Sequence, residues 1–248
     1  MEIHDGLQNN EEEIRSFLLI GQSNMAGRGD FGEVDPIDNR SCFMLRMGRW
    51  QPMSEPINPD RSVLDGKFHS GICLGASFAD EAARAWKTKI GLIPCADGGT
   101  RIDQWQKGEL LFDHAVMMAR LAMRTSKLSG ILWHQGEGDS RTDNLVAAYK
   151  SKLIAMMTLL RRELGAEELP LILGELSDQT GAEWGIAPRV PKINAIIHEV
   201  ASELPMCAVA SSKGLTLKAD GLHFDSKSLR IFGKRYFEAC EELLLNRK

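Results

Sequence analysis

Two short blocks near opposite ends of the chain carry the residue types that acyl-transfer chemistry uses. The apolar run Phe17–Ile20 stops at Gly21, and Gln22-Ser23-Asn24-Met25 follows at once. A buried strand that ends in a sharp turn reads this way, and it leaves Ser23 at a sheet's carboxyl edge, where open α/β sheets bind ligands. A serine hydroxyl there becomes a nucleophile once a base and an oxyanion hole are supplied. Serine and asparagine are also preferred helix caps. Ser23 therefore has two readings on position alone, and Asn24 can take the capping part. The second block, Asp220-Gly-Leu-His223, precedes a final amphipathic stretch. A carboxylate three residues before a histidine in a turn can accept from Nδ1–H, fix the tautomer and leave Nε2 to take a proton. Alone, this spacing more often describes an ordinary exposed turn histidine; the pairing with Ser23, both just beyond strand ends, is what raises the catalytic reading.

Two further blocks lie between them. Trp133-His134-Gln135-Gly136-Glu137-Gly138-Asp139 follows the apolar run Gly130–His134. The Gln135 amide can donate toward a developing oxyanion, and one such donor is worth about 2.7–4 kcal/mol in acyl transfer. Two acids and one histidine in a single loop make a poor zinc set, so no metal is expected, and Glu137 reads as a brace for the loop. Ala96-Asp97-Gly98-Gly99-Thr100 follows the run Lys89–Cys95. Its two glycines offer unobstructed backbone amides, the other half of an oxyanion hole. No glycine-rich phosphate fingerprint is present. Gln22, Asn24, Arg101, Trp105 and Glu137 flank these blocks and are the candidates for substrate contact. Trp105 reads equally as a sugar-stacking platform or as a packed core residue.

The elements that must position these blocks are legible as apolar patterns. Strand-like runs recur at Phe17–Ile20, Lys89–Cys95, Gly130–His134, Leu169–Gly174 and Met206–Ala210, with one short strand expected around Cys42–Arg46. Between them, Leu74–Trp86, Leu110–Met123, Leu145–Leu164, Ile193–Leu204 and Leu229–Leu245 show apolar residues at three- and four-residue steps, the period of an amphipathic helix. Runs without alternation imply strands buried on both faces. Strand and helix in regular succession predict a three-layer α/β/α sandwich around a central parallel sheet of about five strands. Gly27–Gly71 and Gln179–Arg189 are long segments with little pattern, and stretches of that kind are more often functional than idle. Both are expected to wall the pocket.

The chain has 248 residues, a length that suits one α/β domain (1–248), with residues 1–14 read as a flexible N-terminal segment. A net charge of −4 and the absence of a long basic stretch argue against nucleic acid. No run of about 18 apolar residues predicts a membrane span. The first residues lack the basic and apolar regions of a signal peptide. Five dispersed cysteines among apolar neighbours read as reduced core thiols and favour the cytoplasm.

Taken in order, Gly21-Gln-Ser-Asn-Met25, Gly98-Gly99-Thr100, Gln135-Gly136-Glu137 and Asp220-x-x-His223 resemble the SGNH (GDSL-like) hydrolases. Within them the likeness is to carbohydrate esterase family 6, the acetylxylan esterase and sialate O-acetylesterase-like group, and it runs from about Phe17 to Phe224. The resemblance implies a flavodoxin-like sheet and cofactor-free removal of O-acetyl groups from sugars. It implies Ser23 as nucleophile, His223 as base and Asp220 as its orienter. The oxyanion would be held by the Ser23 amide, the amide of Gly99 (slightly favoured over Gly98) and the Gln135 side chain. The partners expected are a small or oligosaccharide acetyl ester and, at most, further copies of the chain. One departure is Gly138, where such proteins commonly carry serine. An α/β-hydrolase elbow reads Gly-x-Ser-x-Gly in mid-chain, with the acid and the histidine on separate loops; none of these holds here. Two alternatives keep the same residues: a short-chain lipase or thioesterase, and a catalytically inactive carbohydrate-binding domain.

Overall fold

The apolar run at Leu18 forms strand β1 (Arg15–Gly21), and its alternation decides which side of the sheet each residue serves. Leu18 and Ile20 pack into one core cluster, Phe17 and Leu19 into the other, and all four are buried. Residues of β5 (Lys127–His134) and β6 (Leu171–Gly174) divide the same way: Ile131, Trp133, Leu171 and Leu173 on one side, Leu132 and Ile172 on the other. Two-sided burial explains why these strands read as continuous apolar runs. The computed structural model describes residues 13–59 and 69–246. Residues 1–12 of the expected flexible segment, and residues 60–68 of the long Gly27–Gly71 segment, lie outside them.

The other strands are β2 (Cys42–Arg46), β3 (Arg49–Pro52), β4 (Ile90–Pro94) and β7 (Cys207–Ala210). The helices are α1 (Ser23–Ala26, a single turn), α2 (Leu74–Trp86), α3 (Leu110–Ala122), α4 (Asp143–Leu164), α5 (Val190–Glu203) and α6 (Ser226–Leu245). Helices α2 and α6 cover the face holding Phe17 and Leu19, while α3, α4 and α5 cover the opposite face. The result is the expected three-layer α/β/α arrangement.

The sheet has seven strands in the order β3-β2-β4-β1-β5-β6-β7, against about five expected. All pairs are parallel except β2–β3, an antiparallel hairpin on the edge. Strand β3 escaped the sequence reading because Arg-Trp-Gln-Pro is polar and short. An edge position tolerates both properties, and it tolerates Pro52. Its turn, Met47-Gly48, has both residues at positive φ (52° and 74°), the geometry that two-residue hairpin turns favour.

Strand β1 sits at the centre, with β4 on one side and β5 on the other. The order therefore reverses around β1, which opens a crevice at the carboxyl ends of β4, β1 and β5. Gly21 lets β1 close tightly on β5 there. Its φ is +131°, and a Cβ on it would fall 2.1 Å from the His134 carbonyl oxygen.

Candidate active site

Ser23 follows β1 directly and opens the single turn α1. Gln22 holds the cap position and makes no side-chain capping bond, so the capping reading of Ser23 fails on geometry. Instead, Ser23 Oγ lies 2.9 Å from His223 Nε2. His223 Nδ1 lies 2.8 Å from Asp220 Oδ2. A carboxylate only accepts, so Nδ1 carries a proton, and Nε2 of the neutral ring is the acceptor for the Ser23 hydroxyl. Asp220 Oδ1 accepts from the Leu222 and His223 amides, each at 2.9 Å. Burial pushes the Asp220 carboxyl up, but the bonds from His223 and Leu222 outweigh it and hold the group below its usual range. Asp220 is an anion throughout the neutral range.

A cavity of about 490 Å³ opens over Ser23 and His223. Gly98 and Gly99 form part of its wall, and a Cβ on Gly98 would lie 3.4 Å from Ser23 Cβ. The amides of Ser23, Gly98 and Gly99 donate to no acceptor among the described residues. Gly98 is the buried glycine of the two, packed against Ser23, while Gly99 is exposed at φ +73°. The cavity thus brings together a hydroxyl, a base and unspent amide donors.

The substrate-contact candidates separate sharply. Gln22 and Glu137 line the cavity; Asn24, Arg101 and Trp105 do not, and neither does Gln135, the expected oxyanion donor. Trp105 is 1% exposed, packs edge-to-face on Trp133 at 5.4 Å and donates its indole N–H to Thr100 Oγ1. It is a core residue, so the stacking expectation is corrected. Arg101 is exposed and does not line the cavity, standing beside the turn Ile102–Trp105. Gln135 is fully buried, and its amide already donates to the Thr100 carbonyl (3.0 Å) and to Asp139 Oδ2 (2.6 Å). With both protons engaged, it joins the β4 and β5 loops and has none left for an oxyanion. That expectation is corrected too.

Asn24 grips the backbone on either side of His223. Its Nδ2 donates to the Leu222 carbonyl (3.3 Å), and its Oδ1 accepts from the Phe224 amide (3.1 Å). The same Nδ2 donates to Glu137 Oε1 at 2.7 Å. Glu137 faces His134 Nε2 at 3.6 Å. Burial alone would raise the Glu137 carboxyl, but His134 and Asn24 prevail and hold it below its usual range.

Arg28, Arg141, Trp184, Gly185 and Ile186 line the cavity without having been singled out individually in the sequence, and Arg141 lies outside both segments expected to wall it. Of the two segments expected to wall the pocket, Gln179–Arg189 supplies Trp184, Gly185 and Ile186, whereas Arg28 is the sole lining residue from Gly27–Gly71 among the described residues. The one sequence signal for Trp184 was an aromatic in a segment without apolar periodicity.

No group of three or more metal-ligating side chains occurs among the described residues. None of their helices is long and apolar enough to cross a membrane. The five cysteines are free thiols, all buried except the half-buried Cys207. Burial pushes Cys42, Cys73, Cys207 and Cys240 up to about 12.

A mostly parallel sheet with helices on both faces, and polar residues gathered where its strand order reverses, define an SGNH-like hydrolase fold. The chain belongs to the carbohydrate esterase family described as sialic acid-specific acetylesterases, which matches residues 13–242. It is similar to a probable carbohydrate esterase of Arabidopsis thaliana, with 28% identity over 232 residues, 86% of this chain and 84% of the relative. An X-ray structure of a protein from Arabidopsis thaliana superposes with a TM-score of 0.78 and 26% identity, covering 94% of this chain and 99% of that one. The crystal structure of NanS superposes with a TM-score of 0.74 over 96% of this chain and all of that one; at 16% identity it speaks for the fold alone.

Proposed function

We propose that this chain is a serine esterase that removes O-acetyl groups from carbohydrates through Ser23, His223 and Asp220. The observation that carries the reading is the hydrogen-bonded chain Ser23 Oγ–His223 Nε2 (2.9 Å) and His223 Nδ1–Asp220 Oδ2 (2.8 Å) in a cavity beside unspent glycine amides. His223 takes the Ser23 proton as Oγ attacks the acetyl carbon. The resulting oxyanion is held by the Ser23 amide and by Gly98 or Gly99, with Gly98 favoured by its packing against Ser23. The imidazolium, stabilised by Asp220, protonates the departing sugar oxygen. A water molecule then gives its proton to His223 and attacks the acetyl-enzyme, releasing acetate and restoring Ser23.

No cofactor enters any of these steps. Arg28 and Arg141 line the cavity, and two guanidinium groups suit a sugar that carries a carboxylate, such as a sialic acid. The dispersed thiols support a reducing compartment such as the cytoplasm.

Turnover of 9-O-acetylated sialic acid, acetylated xylo-oligosaccharides and acetylated monosaccharides, compared between wild type and Ser23→Ala, tests the reading. The variant should lose on the order of 10³-fold or more in kcat on every ester, as removal of a triad nucleophile does elsewhere. Acetyl esters should be preferred to butyryl and octanoyl esters. Retention of most turnover by Ser23→Ala would exclude Ser23 as the nucleophile.

A further inference from the structure

The segment between β6 and α5 carries a feature that the hydrolytic steps do not use. Trp184 ends the short turn Ala182–Trp184, is 42% exposed and lies on the wall of the cavity that holds Ser23 and His223. A large aromatic side chain partly in water at the mouth of a cavity is placed to meet whatever enters it. Its one polar atom is satisfied already, because indole Nε1–H donates to the Asp220 backbone carbonyl at 2.6 Å. The segment is held against the same loop a second time, where the Gly181 amide donates to the Gly221 carbonyl at 2.7 Å. The indole is therefore fixed in orientation, with its polar edge spent and its flat apolar surface available. Ile186 and Leu222 add apolar surface to the same wall, and Leu222 immediately precedes His223.

We propose that Trp184 is the platform of a leaving-group subsite, on which the apolar C–H face of a pyranose ring stacks while its acetyl group meets Ser23. The chemistry favours a sugar over a long acyl chain. One rigid aromatic face in a cavity that also holds Arg28, Arg141 and Gln22 offers a flat amphipathic ring both an apolar surface and polar partners for its hydroxyls. Because the indole is positioned before binding, little side-chain entropy is lost when the ring arrives. The hydrogen bond to the Asp220 carbonyl also ties this subsite to the loop that carries the base. Ring binding and triad geometry thus share one residue. The kinetic part of this proposal rests on the esterase reading; the binding part does not.

The binding test uses Ser23→Ala protein, which holds substrate without turnover, titrated with 6-O-acetyl-D-glucose by calorimetry. Adding Trp184→Ala should weaken binding at least tenfold, equivalent to about 1.4 kcal/mol. Adding Trp184→Phe, which keeps an aromatic face and loses the N–H, should stay within about threefold of the Ser23→Ala protein. In the active background, Trp184→Ala should lower kcat/KM for 6-O-acetyl-D-glucose at least tenfold more than for ethyl acetate, whose alcohol has no ring. Equal losses on both esters, or a phenylalanine variant that binds no better than the alanine variant, would make Trp184 a purely structural residue and overturn the platform. Turnover of neither ester by the wild type, alongside intact calorimetric binding, would overturn the esterase reading and leave the platform standing.

Discussion

The distance between Ser23 and His223 is held by the residue next to the nucleophile. Asn24 bonds the carbonyl before His223 and the amide after it, and is itself held by the buried Glu137. A side chain adjacent in sequence to the nucleophile thereby carries the base loop, which the chain reaches only 200 residues later. Asn24→Ala removes both holds and strips Glu137 of its 2.7 Å donor. Leaving a buried polar group unpaired costs about 1–3 kcal/mol, so the variant should unfold at lower denaturant concentration. Its kcat should fall about tenfold or more with KM within threefold, because substrate contacts are untouched; steady-state kinetics on an acetyl ester reads this split. Asn24→Asp would set a second carboxylate against Glu137, and like charges at that distance do not both ionise. Its loss should be larger at pH 8 than at pH 5. A loss relative to wild type that is equal at both pH values would show that Glu137 and residue 24 are not in contact.

At the scale of elements, the fold was legible wherever the signal was local. Each of the five long runs became a strand, and Ser23, Gly98-Gly99 and Gln135 fall just beyond β1, β4 and β5 because each run ends at its own turn. Side-chain direction was not legible. Whether Gln135 faces the cavity or the core depends on Thr100 and Asp139, which only the folded sheet places beside it. Trp105 was ambiguous for the same reason, since its edge-to-face partner Trp133 belongs to β5, distant in sequence. Strand β3 was missed because an edge hairpin needs neither length nor an apolar run.

Gly138 shows such a non-local constraint directly. A Cβ there would lie 2.5 Å from the Thr100 carbonyl oxygen, so the β4 and β5 loops meet through a bare backbone. A serine at this position forces that carbonyl aside, and with it the acceptor of Gln135. Gly138→Ser should cost about 1–3 kcal/mol, the usual penalty of overpacking, read as a lower denaturation midpoint at unchanged slope. An unchanged midpoint would mean that the two loops separate freely.

For the whole molecule, the brace between these loops sets how stability responds to pH. Asp139 Oδ2 accepts from the Ile102 amide (2.9 Å) and from Gln135, while Oδ1 is buried without a partner. Burial is the largest influence on this carboxyl and pushes it up to about 6, against 3.8 for the free side chain. The sign follows from linkage. Between pH 4 and pH 6 the folded chain binds a proton at Asp139 that the unfolded chain has released, so stability falls as pH rises through that interval. The full effect of this one group is on the order of 3 kcal/mol, and it is complete just above pH 6. Asp220 and Glu137 act in the opposite sense, because their folded carboxyls lie below the usual range and their contributions fade only under more acidic conditions. Asp139→Asn isolates the term. An asparagine oxygen can keep both accepted bonds, and the variant cannot ionise. Its unfolding free energy relative to wild type, measured with urea, should therefore rise from pH 4 to pH 8, gaining most of its advantage by pH 7. A difference that stays flat across that range would mean that Asp139 is ionised in the folded protein down to pH 4, with solvent or a cation reaching its second oxygen.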